Sequence, residues 1–166
     1  MTASAQVRGT PPRVVVRTFW ALHRAAYRAT GGRFGLSRPE AGHRFGMLRL
    51  STVGRRSGQA RMTMIGCYPD GENLVTLAMN GWADEDPAWW LNLQTHPETT
   101  VDVPDGQRAV RARAATGAER ERLWAKFRDF PGWGEDIDAL AARRSTKTAV
   151  VVLEPLTPLQ TGGSTS

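Results

Sequence analysis

Apolar positions along this chain change period, and the changes mark out its elements. Over residues 13–30 the spacing is helical: Val16, Phe19, Trp20 and Tyr27 share one face, and Arg13, Arg17, Arg24 and Arg28 share another. Gly31-Gly32 stops that helix. Residues 47–53, 60–68 and 73–78 then read as strands, separated by the turn signals Gly54-Arg55-Arg56-Ser57-Gly58 and Asp70-Gly71. Asp86 and Pro87 read as the N-cap and first residue of a short helix running to about residue 94. On that helix Trp89, Asn92 and Leu93 share a face, with Trp90 directed elsewhere. Residues 99–103 and 108–115 are two more strands across an Asp105-Gly106 turn. Thr116 and Glu119 form a capping box ahead of the stripe Leu123, Trp124 and Phe127. Ile137, Leu140 and Ala141 mark a further short helix, and residues 149–153 make a continuously apolar closing strand that Pro155 ends.

Strands that come mostly as hairpins, with short helices between or after them, predict a mostly antiparallel α+β domain built on a small barrel. No βαβ alternation, G-x-G-x-x-G or Walker sequence is present, which disfavours nicotinamide Rossmann and P-loop chemistry. Residues 13–155 are expected to form a single domain. The small polar residues of 1–12 and the Thr-, Gly- and Ser-rich 156–166 read as disordered ends.

Composition narrows the class. The chain has 166 residues, 40% hydrophobic and 23% charged, the range of an ordinary globular domain. No apolar run is long enough to span a bilayer, and no signal-peptide pattern opens the chain. Cys67 is the single cysteine, so no intrachain disulfide forms, and a cytoplasmic location is expected. His23, His43 and His96 are scattered without metal-ligand spacing, and no metal is expected. The net charge of +6 rests on arginine, since Lys126 and Lys147 are the only lysines. Such a surface attracts polyanions of any kind: nucleic acid, anionic lipid or a phosphorylated cofactor. Nucleic acid is disfavoured, because no recognised module is present. The arginine-striped helix over 13–30 either packs on the domain or lies peripherally on the inner face of the cell membrane.

Four segments offer chemistry. Gly54-Arg55-Arg56-Ser57-Gly58-Gln59-Ala60-Arg61 combines two glycines, a hydroxyl and three guanidiniums, which suits an anionic group held between two strands. A solvated basic hairpin is the equal alternative from this octapeptide alone. Ala78-Met79-Asn80-Gly81-Trp82-Ala83 ends a strand in small residues that let a planar ring approach the backbone. Trp89-Trp90-Leu91-Asn92-Leu93 is either core or a pocket wall. Trp133, after Phe130-Pro131-Gly132, is either a lid or a plug. No nucleophile stands out: there is no G-x-S-x-G, and Cys67 has no base nearby in sequence. Asp84, Glu85 and Asp86 read as helix-capping acids, and Arg143-Arg144-Ser145-Thr146 as an exposed connection.

Read in order, residues 52–61, Asn80-Gly81-Trp82-Ala83, residues 87–93 and Val150-Val151-Val152-Leu153-Glu154-Pro155 resemble the deazaflavin-dependent nitroreductase family, within the split β-barrel flavin and deazaflavin oxidoreductases. The resemblance covers roughly residues 46–155. It implies a split β-barrel with short peripheral helices that binds coenzyme F-420, whose tail carries a phosphate and a polyglutamate chain. The long anionic tail makes flavin mononucleotide a weaker match, and haem relatives of the same fold are a third possibility. By the resemblance Arg55, Arg56 and Arg61, with Ser57 and nearby N–H groups, grip the anionic tail, and Gly58, Gln59, Met62, Thr63 and Met64 belong to the cofactor-binding set. Leu77, Ala78, Met79, Asn80 and Ala83 line the ring, and Trp89 and Asn92 close the pocket. The implied activity is hydride transfer from the reduced deazaflavin to a small electrophilic acceptor such as a quinone, an enone or another activated double bond, with nitro compounds a side activity. A cofactor-binding protein without turnover is the alternative. This chain has Met79 and Asn80 where a nitro-reducing member has serine and lysine, and Trp133 and Asp136 where it has two tyrosines. Those exchanges imply a more apolar acceptor, and Met79, Trp133 and Asp136 are the candidate acceptor-side residues. Relatives of this kind are often dimers, which leaves a homodimer as one expected assembly.

Overall fold

Three hairpins, two long-range pairings of the last strand and one closing contact make the barrel. The computed structural model describes residues 35–39, 45–129 and 136–156. The expected helix over 13–30, the terminal segments 1–12 and 157–166, and Trp133 lie outside the described residues. Strand β1 (Gly46–Val53) pairs with β2 (Ala60–Asp70) along its whole length, from Gly46↔Cys67 to Val53↔Ala60. β2 turns through Gly71-Glu72 into β3 (Asn73–Leu77), with Gly71 at φ 62°, as the Asp-Gly signal requires. Helix α1 (Ala88–Thr95) follows, then the hairpin of β4 (Glu98–Val103) and β5 (Gly106–Ala114). Helices α2 (Gly117–Arg128) and α3 (Ile137–Ala141) lead to β6 (Val150–Pro155). The closed order is β1-β2-β3-β6-β5-β4, antiparallel throughout. The order closes on itself, with β2 meeting β3 only over Tyr68, Pro69 and Asp70, so that the first part of β2 pairs with β1 alone.

The last strand in sequence is not the seam. β6 lies between β3 and β5, and the barrel closes where Arg49 and Leu50 of β1 meet Asp102 and Val101 of β4. The apolar run of β6 has a two-sided cause. Val151 and Leu153 face the barrel interior with Leu48, Leu50, Val101 and Val110. Val150 and Val152 face a second cluster with Leu123, Phe127 and Ile137 from α2 and α3. A strand covered on both sides has no solvated face on which to alternate.

Three expectations for the helices need correction. Trp89 and Trp90 both join the barrel-interior cluster, with ring centroids 6.4 Å apart at 62°. The short helix α1 is buried on more than one face, so side-by-side positions both reach core. Its N-cap position is Pro87, without a side-chain cap, because the Asp86 carboxylate is taken by Arg144 at 2.7 Å. The capping box of α2 does not form either. Thr116 makes no side-chain cap, and Glu119 is captured by the Arg113 guanidinium through two bonds of 2.6 and 2.8 Å. A bidentate charged pair outcompetes a carboxylate reaching back to a backbone N–H. Arg113 also donates to Glu154 at 2.7 Å, and the same helix sends Arg122 and Lys126 to Asp70, joining α2 to β2, β5 and β6.

Candidate active site

The turn after β1 is closed by its own backbone. Gly54 N–H donates to Gln59 O at 2.8 Å, and Gly58 N–H donates to Gly54 O at 2.7 Å, with Gly58 at φ 64° where a side chain would be strained. Ser57 Oγ accepts from Gln59 N–H at 3.4 Å. A distant helix fixes one flank. Asn92 on α1, itself 5% exposed, accepts the Arg55 N–H at 3.1 Å and donates to Thr52 Oγ1 at 3.2 Å. A buried amide left without partners would be costly, so these two bonds hold the turn against α1.

A cavity of about 610 Å³ opens between this turn, the start of β2 and the N-terminal half of α1. Of the sequence candidates, Arg55, Arg56, Ser57, Arg61, Met62, Thr63, Asn80, Trp89 and Asn92 line it. Gly58 and Gln59 shape the turn beside it, and Met64 lies one position deeper along β2. Other candidates lie elsewhere. Leu77 and Met79 belong with the cluster under α2 and α3, and Ala78 is fully buried in the barrel interior. Strand alternation explains the split, since adjacent side chains at the end of β3 face opposite sides. Ala83 closes the following loop, donating its N–H to Asn80 O at 3.1 Å. Asp136 caps α3, accepting the Asp138 N–H at 2.8 Å. Thr52, Gly54, Pro87 and Ala88 also line the cavity. Their signal was positional: each neighbours a candidate, Thr52 and Gly54 before the basic turn and Pro87 and Ala88 before Trp89.

The electrostatics of the cavity are one-sided. Arg38, Arg49, Arg108, Arg111, Arg113, Arg120, Arg122, Arg128 and Arg144 each reach a carboxylate. Arg55, Arg56 and Arg61 reach none among the described residues, and no acidic side chain lines the cavity there. Three uncompensated guanidiniums around one concave site focus positive potential into it and offer bidentate donors to phosphate or carboxylate oxygens. Helix α1 contributes Ala88 and the largely buried Trp89 to the lining, Pro87 adds to it just before the helix, and Asn80 supplies a primary amide.

Arg144 was the residue that sequence reading misplaced. Within a connection whose Arg143, Ser145 and Thr146 are exposed as expected, Arg144 is only 6% exposed and binds the loop that carries Asn80. No local pattern announces it, because its partners lie 58 to 66 positions earlier, except Thr148. Asp84, read as a capping acid, instead accepts the Ser145 N–H, and the Ser145 side chain first, then this backbone bond, hold its carboxyl below the usual carboxylate range. Among the described residues no helix is long and apolar enough to cross a membrane, and no cluster of metal-ligating side chains occurs.

Several known proteins are similar to this chain. An F420H(2)-dependent quinone reductase of Mycobacterium tuberculosis is 31% identical over 105 residues, spanning 62% of this chain and 68% of that protein. A solved F420-H2 dependent reductase, FDR-A, superposes with a TM-score of 0.55 at 21% identity, covering 65% of this chain and 93% of the other. A protein solved as a domain-swapped dimer superposes at 0.60 with 20% identity, covering 83% of this chain and 99% of the other. These two structural likenesses carry the split-barrel fold. The sequence profile described as F420H(2)-dependent quinone reductase matches residues 20–155. This chain belongs to that family of oxidoreductases, whose cofactor is coenzyme F-420.

Proposed function

We propose that the protein reduces quinones with coenzyme F-420, holding the cofactor's anionic tail on the turn after β1 and its ring against α1. The carrying observation is the set of Arg55, Arg56 and Arg61, which have no carboxylate partner among the described residues and line a single cavity. The donor set fits the group. Guanidiniums and the Ser57 hydroxyl match phosphate and carboxylate oxygens, and the Trp89 wall matches a planar ring. A cavity of about 610 Å³ is also of the size that takes cofactors.

When bound, reduced coenzyme F-420 supplies a hydride. The chain's own residues bind, orient and screen. Arg55, Arg56 and Arg61 neutralise the tail, and the Asn92 bridge keeps the turn from shifting beneath it. Asn80 and Trp89 bound the ring side and limit where an acceptor can lie, so much of the rate gain comes from orientation. A quinone that accepts the hydride becomes a hydroquinone anion, and a proton completes the hydroquinone. That proton comes from a side chain or from water; the described lining residues are arginines, amides, hydroxyls, an indole and apolar groups. Enones and other activated double bonds are further acceptors. Nitro compounds are expected to react slowly, because Asn80, which lines the ring side, offers no hydroxyl or ammonium group there.

Titration of the purified chain with coenzyme F-420, flavin mononucleotide and haem, followed by absorbance and fluorescence, tests the cofactor. Tight binding of F-420 and quinone-dependent oxidation of its reduced form are expected; binding of the flavin alone would refute the proposal. Reversing Arg55 and Arg56 to Glu removes charged hydrogen bonds of about 1.5–3 kcal/mol each, so F-420 affinity should fall about a hundredfold or more. The melting temperature should stay near native.

A further inference from the structure

We propose that Arg144 is a positioning residue for the ring side of the cofactor site, a clamp that fixes the loop over residues 78–86. This rests on the cofactor reading above. Arg144 lies between α3 and β6, and its side chain is fully buried. Each of its five N–H donors has an acceptor. Nε donates to Ala83 O at 2.9 Å, Nη1 to Ala78 O at 3.1 Å and Thr148 Oγ1 at 2.8 Å, and Nη2 to Asp84 O at 3.4 Å and the Asp86 carboxylate at 2.7 Å. Four of these acceptors belong to the one loop.

That loop needs holding. Gly81 at φ 58° and Trp82 at φ 63° are consecutive left-handed residues, and Trp82 is the only non-glycine with positive φ among the described residues. A side chain in that region persists only where the surroundings over-determine it. The strained pair directly follows Asn80, which lines the cavity, and Asp86 directly precedes Pro87, Ala88 and Trp89, which line it too. One guanidinium thus ties both ends of the segment that forms the cavity's ring-side wall. It touches neither the basic turn nor the residues that would hold the anionic tail.

Stability alone does not account for such a residue. A buried charge is expensive to desolvate, and an apolar side chain of similar volume often gives equal or greater stability. What an apolar replacement lacks is the planar fork that sets several carbonyls at fixed angles. The guanidinium therefore specifies the loop's conformation and, through it, the position of Asn80 and the start of α1.

The test uses the full chain carrying Arg144→Gln, with Arg144→Lys beside it, and three readouts. Hydrogen exchange follows the loop amides. Fluorescence titration with 8-hydroxy-5-deazariboflavin reports the ring, and titration with inorganic phosphate reports the basic turn. Faster exchange confined to residues 78–86 is expected, with β1 and β6 protected as in the native chain. Affinity for the ring probe should fall about tenfold, while that for phosphate stays within about twofold. Lysine keeps the charge but not the fork and should restore less than half of the lost ring affinity. Unchanged ring affinity would overturn the proposal, as would protection lost evenly through the barrel or full rescue by lysine. If the native chain binds no deazaflavin, the cofactor reading fails on its own. The exchange experiment, which needs no cofactor, then still decides whether Arg144 orders the loop.

Discussion

Asn92 on α1 accepts the backbone N–H of Arg55, 37 positions earlier, at 3.1 Å, so a helix side chain holds one flank of the basic turn in place. The same amide donates to Thr52 Oγ1 at 3.2 Å, and both side chains are buried. Asn92 thus spends its oxygen and a nitrogen hydrogen on the protein itself. Its contribution to a ligand is the shape of the turn as much as any direct contact.

Replacing Asn92 with leucine leaves the Arg55 N–H and the Thr52 hydroxyl without this partner. A loss of about 1–3 kcal/mol is expected in urea unfolding, together with weaker coenzyme F-420 binding. Native behaviour in both measurements would show that the bridge is idle.

Gly54 and Gly58 are expected to respond differently to alanine. A Cβ on Gly54 would lie 2.7 Å from Ser57 Oγ and 3.3 Å from Gln59 O, so the serine must swing aside and the turn must give. A Cβ on Gly58 meets nothing, and its cost is the left-handed backbone alone, about 1–2 kcal/mol. Gly54→Ala should therefore weaken F-420 binding severalfold with a small change in melting temperature. Gly58→Ala should lower melting temperature at least as much as it lowers affinity. Equal profiles for the two variants would contradict this account of the turn.

Acid should weaken the fold through the α2 ion pairs. The Arg122 guanidinium, at 2.8 and 2.9 Å, and then the Lys126 ammonium hold the Asp70 carboxyl well below the usual carboxylate range. Arg113 likewise holds Glu119 down. A carboxyl depressed in the folded state contributes its stability above the unfolded value, near pH 4, and loses it as pH falls toward the folded value. Melting temperature should therefore drop between about pH 5 and pH 2. Asp70→Asn should be less stable at neutral pH, with a shallower acid limb. A limb as steep as the native one would assign the acid sensitivity to other groups.

Cys67 should be chemically silent in the native chain. It sits 1% exposed in the barrel interior, and burial pushes its thiol up to about 12. The thiolate is the reactive form, so a disulfide reagent at neutral pH should label native protein only as fast as it opens. Labelling should accelerate through the urea transition. Rapid labelling without denaturant would mean that the β1–β2 side of the barrel opens readily.

Much of the barrel was legible because its determinants are local. Asp70-Gly71 and Asp105-Gly106 specify tight turns through backbone φ, and alternation over the adjoining residues sets which side chains face inward. The basic turn was visible for the same reason, since its glycines and arginines are consecutive. The helix caps were misread because competing partners were distant. Arg113 drew Glu119 from the capping box, and Arg144 drew Asp86 from α1. Nothing near either acid in sequence records those competitors.

By itself, then, the sequence determined the hairpins, the tight turns and the cluster of cationic groups after Gly54, because each depends on residues within a few positions. Only the tertiary structure decided that β6 lies inside the strand order, that Asn92 braces Arg55, and that Arg144 ties down a loop 66 positions away at Ala78. Those arrangements follow from barrel closure, which brings far-separated donors and acceptors together in a dry interior where each must find a partner.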